Sequence, residues 1–119
     1  MIVSGPPPRR YPWQPMTIAG QLERTAARHP DNLALVDGAR RMTWAEVRAA
    51  ARGLGRSLRA AGIESGDHMA VWQPNQIEWV LCWLGAAYAG AVIVPVNTRY
   101  KTEEAGYILR QSDSRLLFM

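Results

Sequence analysis

Apolar and polar residues recur along the chain with two different periods, and the change of period predicts the order of the elements. Residues 17–28 carry apolar side chains three to four positions apart, which is the spacing of one face of a helix. Residues 33–37 (LALVD) and 40–43 (RRMT) are short strand-like runs on either side of Gly38. A small β-hairpin is therefore expected directly after the first helix.

The second helix has the clearest local signal in the sequence. Thr43 is followed three positions later by Glu46, the pattern of a capping box in which each side chain can bond to the backbone of the other residue. Apolar residues then recur at helical spacing, at Trp44, Val47, Ala51, Leu54 and Leu58. Gly62 is expected to end this amphipathic helix.

The rest of the chain alternates strand, helix, strand, helix and strand, at residues 68–73, 76–89, 91–96, 102–111 and 115–119. Asn75 is placed to cap the first of these helices through its side chain. Short apolar strands that alternate with helices predict a parallel sheet with right-handed crossovers. The fold class expected from the pattern is thus α/β, a partial βαβαβ sheet preceded by a helix and a hairpin.

Composition narrows the class of protein. The chain has 119 residues, of which 48% are hydrophobic and 20% are charged, as in an ordinary globular domain. Its 14 basic residues exceed its 10 acidic residues only modestly, and they form no dense stripe with aromatic side chains, so no nucleic-acid partner is expected. A single cysteine, Cys82, rules out an internal disulfide framework and favours a reducing, cytoplasmic location.

Two segments bear on targeting and membranes. Residues 1–16 are rich in proline and lack the apolar core of a targeting signal, so they are interpreted as a flexible leader. Residues 79–96 carry no charge and are long enough to require a check for a membrane span. Because Gly90 and Pro95 interrupt them and the second half is β-branched, we predict a helix, a turn and a buried strand, with no transmembrane segment.

The most informative positions follow the ends of predicted strands. Ligands of open parallel sheets bind beyond the carboxyl ends of the strands, and here those exits are residues 73–75 and 95–101. Arg99 lies in the second exit, and a guanidinium suits phosphate because it can donate two parallel hydrogen bonds. A surface ion pair between Arg99 and Glu103 explains the same arginine equally well, and its position alone leaves both interpretations open.

Several kinds of chemistry have no support in the sequence. There is no phosphate loop of the GxxxxGK type, no other loop rich in Ser, Thr and Gly, and no nucleophile paired with a base. His29, His68 and Cys82 do not have metal-ligand spacing. The final strand, residues 115–119, is apolar enough to need a further strand beside it, and nothing later in the chain provides one.

The residues resemble the adenylate-forming superfamily, which contains acyl-CoA synthetases, adenylation domains and luciferases. The segment MTWAEV at residues 42–47 resembles the family's LTYxEL motif, and residues 66–119 follow the family's next block, with Thr98 where proline is usual. The resemblance extends over residues 17–119. It implies that they are the start of the large N-terminal domain, ending before the phosphate-binding loop, and that the remainder of the domain is missing.

The resemblance implies that the full-length protein is an acid–CoA ligase. A fatty or aromatic carboxylic acid would attack ATP, with Mg²⁺ present, and the resulting acyl-adenylate would pass its acyl group to coenzyme A. In some family members the arginine at the position of Arg99 lies near the nucleotide end of coenzyme A. The remaining catalytic residues lie later in the family's sequence, so this chain alone is expected to be inactive and to bind no cofactor tightly. The alternatives are an adenylation domain that loads a carrier-protein thiol and a non-catalytic interaction module with an open sheet edge.

Overall fold

The computed structural model describes residues 16–119 of the chain. Within them the elements are α1 Ile18–Arg28, β1 Leu33–Asp37, β2 Arg40–Thr43, α2 Trp44–Ala60, β3 His68–Val71, α3 Ile77–Ala89, β4 Val92–Pro95, α4 Thr102–Gln111 and β5 Leu116–Phe118. This is the predicted order, and the α/β fold class is confirmed. The expected leader lies outside the described residues except for Met16.

The first part of the fold is set by local signals. Strands β1 and β2 pair antiparallel around Gly38, whose φ of 59° lies in the left-handed region that glycine adopts without strain. The predicted capping box opens α2, because the backbone N–H of Thr43 donates to Glu46 Oε2 at 2.7 Å and the N–H of Glu46 donates to Thr43 Oγ1 at 3.3 Å. The cap and the turn together explain why hairpin and helix follow without a linker.

The second part is a three-stranded parallel sheet with strand order β4-β3-β5. Alternate side chains of the central strand point to opposite faces of the sheet, since Met69 packs with α2 and α3 whereas Ala70 packs with α4. Strand β4 lies on one side of β3 and β5 lies on the other. The connection from β3 to β4 and the connection from β4 to β5 therefore run across the sheet in opposite directions. Helices on opposite faces are what two crossovers of the same hand require.

Helices α2 and α3 pack unusually closely. A Cβ atom built on Gly55 would lie 2.7 Å from Tyr88 Cβ, and one built on Gly85 would lie 2.7 Å from Leu54 Cγ. Two carbon atoms that are not bonded to each other cannot approach this closely, so the interface needs glycine at both positions. The pair α2–α3 therefore forms one compact layer on its face of the sheet.

The structure corrects several details of the sequence interpretation. The predicted strands at residues 68–73, 91–96 and 115–119 are each two residues shorter in the structure, at His68–Val71, Val92–Pro95 and Leu116–Phe118. Helix α3 begins at Ile77, with the backbone of Gln76 as its cap and no side-chain capping bond, so the prediction that Asn75 caps it is wrong.

Within residues 16–119, no helix combines the length and apolarity needed to cross a membrane.

Candidate functional site

The polar exits of β3 and β4 meet in one cleft. These strands are neighbours in the sheet, and the chain leaves β3 toward one face and β4 toward the other, which opens a crevice at their carboxyl ends. The cleft has a volume of about 430 Å³, and its lining residues are Gln73, Pro74, Asn75, Trp79, Pro95, Val96, Asn97 and Thr98. The crevice is thus at the position in the fold where open α/β sheets bind ligands.

The wall of this cleft is polar but carries no charge. Three of its side chains are amides, and the carbonyl oxygen of one of them, Gln73 Oε1, is buried without a hydrogen-bond partner among the described residues. Neutral amides and the Thr98 hydroxyl can orient a ligand by hydrogen bonds. The cleft therefore offers a ligand uncharged hydrogen-bonding groups.

Arg99 follows the last lining residue of the cleft by one position. Its backbone N–H donates to Asn97 Oδ1 at 2.9 Å, and the N–H of Tyr100 donates to the carbonyl oxygen of Asn97 at 3.0 Å. The side chain of Arg99 is exposed and, within residues 16–119, pairs with no carboxylate, so the ion pair with Glu103 considered above does not form. The exposed Arg99 side chain therefore lies on the segment that leaves the cleft, one position after Thr98.

Lys101, the only lysine of the chain, begins the next helix. Its backbone N–H donates to Glu104 Oε2 at 2.8 Å, which fixes the first turn of α4. The two basic residues after β4 consequently have different settings. Arg99 lies on a turn beside the cleft, whereas Lys101 is the N-terminal boundary of a helix.

The start of α3 is capped from outside the helix. Asp37, at the end of β1, accepts a hydrogen bond from the backbone N–H of Ile77 through Oδ2 at 3.4 Å. Arg40 Nη1 and Nη2 donate to the two carboxylate oxygens of Glu78 at 2.5 and 2.8 Å. These contacts join the hairpin to α3 beside the cleft, and sequence reasoning missed them because the partners are about 40 positions apart.

The Arg40–Glu78 pair changes the acidity of the carboxyl group. Hydrogen bonds from Arg40, and then from the backbone N–H of Glu78 itself, lower the pKa of Glu78 to about 2. Glu78 therefore stays ionised over the ordinary pH range, and it is a structural contact rather than a candidate general base.

Two other groups have shifted pKa values away from the cleft. Burial raises the pKa of the Cys82 thiol, which disfavours the reactive thiolate. Burial, together with the bond that the Tyr88 hydroxyl donates to Glu23, raises the pKa of Tyr88 to about 12. Both side chains belong to the packing between helices and are held in their neutral forms.

The chain matches one protein family over most of its length. The model of the family described as AMP-binding enzyme matches residues 22–119, and the chain belongs to this family. A methyl-dioxo-octahydroindenyl-propanoyl:CoA ligase of Mycobacterium tuberculosis is 40% identical over 102 residues, which cover 86% of this chain and 20% of that protein. The chain thus spans about a fifth of the length of this curated relative.

Solved structures agree with the family assignment. A fatty acyl CoA synthetase of Mycobacterium tuberculosis aligns with a TM-score of 0.82 and 37% identity, covering 85% of this chain and 20% of that one. An adenylation–PCP di-domain from Klebsiella oxytoca, an artificial fusion, aligns with a TM-score of 0.84 and 26% identity, covering 88% of this chain and 20% of that one. The resemblance stated from the sequence is confirmed: the fold is the start of the N-terminal domain of an adenylate-forming enzyme.

Proposed function

We propose that these residues form part of an ATP-dependent acid–CoA ligase and that Arg99 contacts the nucleotide end of coenzyme A. The observation that supports the role of Arg99 is that its exposed side chain pairs with no carboxylate in residues 16–119 and follows the cleft's lining residue Thr98 by one position. Relatives named as CoA ligases support the choice of coenzyme A as the acceptor. A fatty or aromatic carboxylic acid is the proposed substrate class.

The proposed reaction has two steps. A carboxylate oxygen bonds to the α-phosphorus of ATP and pyrophosphate leaves, which gives an acyl-adenylate. The sulfur of coenzyme A then bonds to the acyl carbon, its proton is lost, and AMP leaves. In this scheme Arg99 binds and orients the second substrate by charge-assisted hydrogen bonds to phosphate oxygens, and it takes no part in either bond exchange.

The proposal assigns no residue of this chain to Mg²⁺ or to the phosphates of ATP. Residues 16–119 contain no group of three His, Cys, Asp or Glu side chains that could hold a metal ion. The sequence also lacks a loop rich in Ser, Thr and Gly whose backbone N–H groups could surround phosphates. We therefore propose that residues 17–119 are a portion of the AMP-binding domain that precedes its phosphate-binding loop and that the 119 residues alone do not catalyse.

Acid-dependent exchange of labelled pyrophosphate into ATP tests this inactivity. The purified 119-residue chain is assayed with a panel of fatty and aromatic acids, with the fatty acyl CoA synthetase of Mycobacterium tuberculosis as the positive control. We expect no exchange above the blank. Exchange that is lost on substitution of Arg99 or Lys101 would show that the catalytic groups are already present and would refute this part of the proposal.

Kinetics of the complete polypeptide that carries these residues test the role of Arg99. The substitution Arg99→Ala should raise the KM for coenzyme A about ten- to a hundredfold, since a hydrogen bond to a charged group contributes roughly 1.5–3 kcal/mol. The KM values for ATP and for the acid should change little. Arg110→Ala, which removes an exposed arginine from the last turn of α4, is the matched control. Impaired adenylation with an unchanged KM for coenzyme A would assign Arg99 to the first step instead.

A carrier-protein thiol is the second candidate acceptor. Its support is the similarity to the adenylation–PCP di-domain. Both acceptors present a thiol, but coenzyme A also carries a nucleotide that Arg99 could bind. Offering the complete polypeptide coenzyme A and a thiol-bearing carrier protein in parallel separates the two, because only a carrier-protein enzyme would transfer the acyl group to the carrier protein alone.

A further inference from the structure

The turn that contains Arg99 is built around one residue, Asn97. Asn97 accepts two hydrogen bonds, one through Oδ1 from the N–H of Arg99 at 2.9 Å and one through its backbone oxygen from the N–H of Tyr100 at 3.0 Å. The first bond spans two residues and the second spans three, so together they close the chain into a tight turn from Asn97 to Tyr100.

This turn is anchored at both ends. Before it, the N–H of Val96 donates to the carbonyl oxygen of Val71 at 2.9 Å, and the side chain of Val96 is buried against the sheet. After it, the N–H of Ala105 donates to the carbonyl oxygen of Lys101 at 3.0 Å, and Ala105 is buried in the same cluster. Residues 97–101, between these anchors, are exposed, and the Asn97 side chain is the only one among the described residues that bonds to Arg99.

We infer that Asn97 is a positioning residue, which fixes the backbone of Arg99 so that its guanidinium is directed to the nucleotide phosphates of coenzyme A. This inference rests on the proposed function. Arginine has a long side chain with several rotatable bonds, and binding must order it. If the backbone of Arg99 is fixed before coenzyme A binds, its Cα–Cβ bond already has one position and one direction. Binding then costs less conformational entropy.

The chemistry of asparagine fits this role better than its near neighbours do. An alanine has no acceptor for the N–H of Arg99. An aspartate keeps the acceptor but places a negative charge close to Arg99 and to the phosphates that it would bind. Serine keeps an uncharged oxygen that makes the same type of turn more weakly. Asparagine, serine and alanine at position 97 should therefore make a strong, a weak and no hydrogen bond to the N–H of Arg99, and none of them changes the charge of the site.

The experiment measures steady-state kinetics of the complete polypeptide with two thiol acceptors, coenzyme A and pantetheine. Pantetheine has the reactive thiol but no nucleotide. The variants are Asn97→Ala, Asn97→Ser, Arg99→Ala and the double variant of Asn97→Ala with Arg99→Ala. Asn32→Ala removes an exposed asparagine side chain in the loop before β1 and is the matched control.

The expected result is selective for the nucleotide. Loss of one turn bond should raise the KM for coenzyme A about two- to tenfold in Asn97→Ala, with Asn97→Ser in between and Asn32→Ala unchanged. The KM for pantetheine should not move in any of these variants. In the double variant the effect should equal that of Arg99→Ala alone, because a residue that acts through Arg99 has nothing to position once Arg99 is removed.

Other outcomes overturn the inference, and they separate it from the proposed function. A turn that only supports the fold would raise the KM values for pantetheine, ATP and acid together, or would add its effect to that of Arg99→Ala. Either result refutes positioning while acyl-CoA formation by the unsubstituted enzyme still supports the ligase. Failure of the unsubstituted enzyme to form acyl-CoA with any acid would refute the ligase, and the role of Asn97 with it.

Discussion

The two faces of the same parallel sheet are covered very differently. On one face, α2 and α3 bury a cluster of seven residues, namely Leu58, Ile63, Met69, Val71, Cys82, Ala86 and Ala89. On the other face, α4 closes a cluster with only three buried members, Ala70, Val96 and Ala105. Within residues 16–119, the first face therefore carries the larger hydrophobic cluster, and the second carries the smaller one, which includes Val96 just before the turn that leads to α4.

The cause of the difference lies in the helices. Helix α3 carries apolar residues around most of its circumference, which is typical of a helix covered on several sides, and the close Gly55 and Gly85 contacts let α2 lie tightly against it. Helix α4 is amphipathic and buries one residue, Ala105. The cleft lies where the two faces meet, so a ligand there would contact Trp79 of α3 on one side and the turn that begins at Asn97 on the other.

The largest expected effect comes from truncating the core of the well-covered face. Met69→Ala removes a side chain with 0% exposure and should lower the free energy of unfolding by about 2–5 kcal/mol. Leu117→Ala on the α4 face removes a half-buried side chain and should cost less. Urea unfolding followed by circular dichroism measures both, with Met69→Leu as the volume-matched control. Equal losses at the two positions would contradict the comparison.

A smaller effect should come from the interface between α2 and α3. Gly85→Ala places a methyl group 2.7 Å from Leu54 and should lower the free energy of unfolding by roughly 1–3 kcal/mol through overpacking. Gly53→Ala, also in a helix but 4.0 Å from its nearest neighbour atom, should instead be stabilising by about 0.5–1 kcal/mol through helix propensity. The opposite signs can be read from the same unfolding curves. A stabilising Gly85→Ala would show that the two helices can move apart without loss.

The smallest effect concerns the pair that joins the hairpin to α3. The pKa of Glu78 is lowered to about 2 by Arg40, from about 4.3 in an unfolded chain. A depressed pKa contributes stability above pH 4.3, and that contribution is lost as the pH falls toward 2. Both side chains are about half exposed, so salt should weaken the effect.

Thermal unfolding between pH 5 and 2 measures this contribution. Glu78→Gln should flatten part of the loss of stability in that range, while Glu64→Gln, which removes an exposed carboxyl group that makes no side-chain ion pair in the described residues, is the control. An unchanged pH dependence in Glu78→Gln would show that the Arg40–Glu78 contact does not stabilise the fold in solution.

The sequence by itself determined the order of the elements and their local ends. The capping box of Thr43 and Glu46 and the turns at Gly38 and Gly62 depend on residues within a few positions of each other, so their signals are complete in a short stretch of sequence. Arg99 could be selected as a candidate for the same reason, since it follows directly from the end of an apolar run. The family motifs pointed to the same residue.

Only the tertiary structure decided which exits meet and what holds them. The strand order β4-β3-β5 brings Gln73 and Asn97 into one cleft, and no local pattern distinguishes this order from the others that a parallel sheet allows. The failed prediction of the α3 cap has the same cause. Asn75 has a suitable side chain and lies just before the helix, but Asp37, far away in sequence, accepts the hydrogen bond from the first turn of α3. Interactions within a turn are encoded by neighbours, whereas interactions across the sheet depend on packing that brings distant residues together.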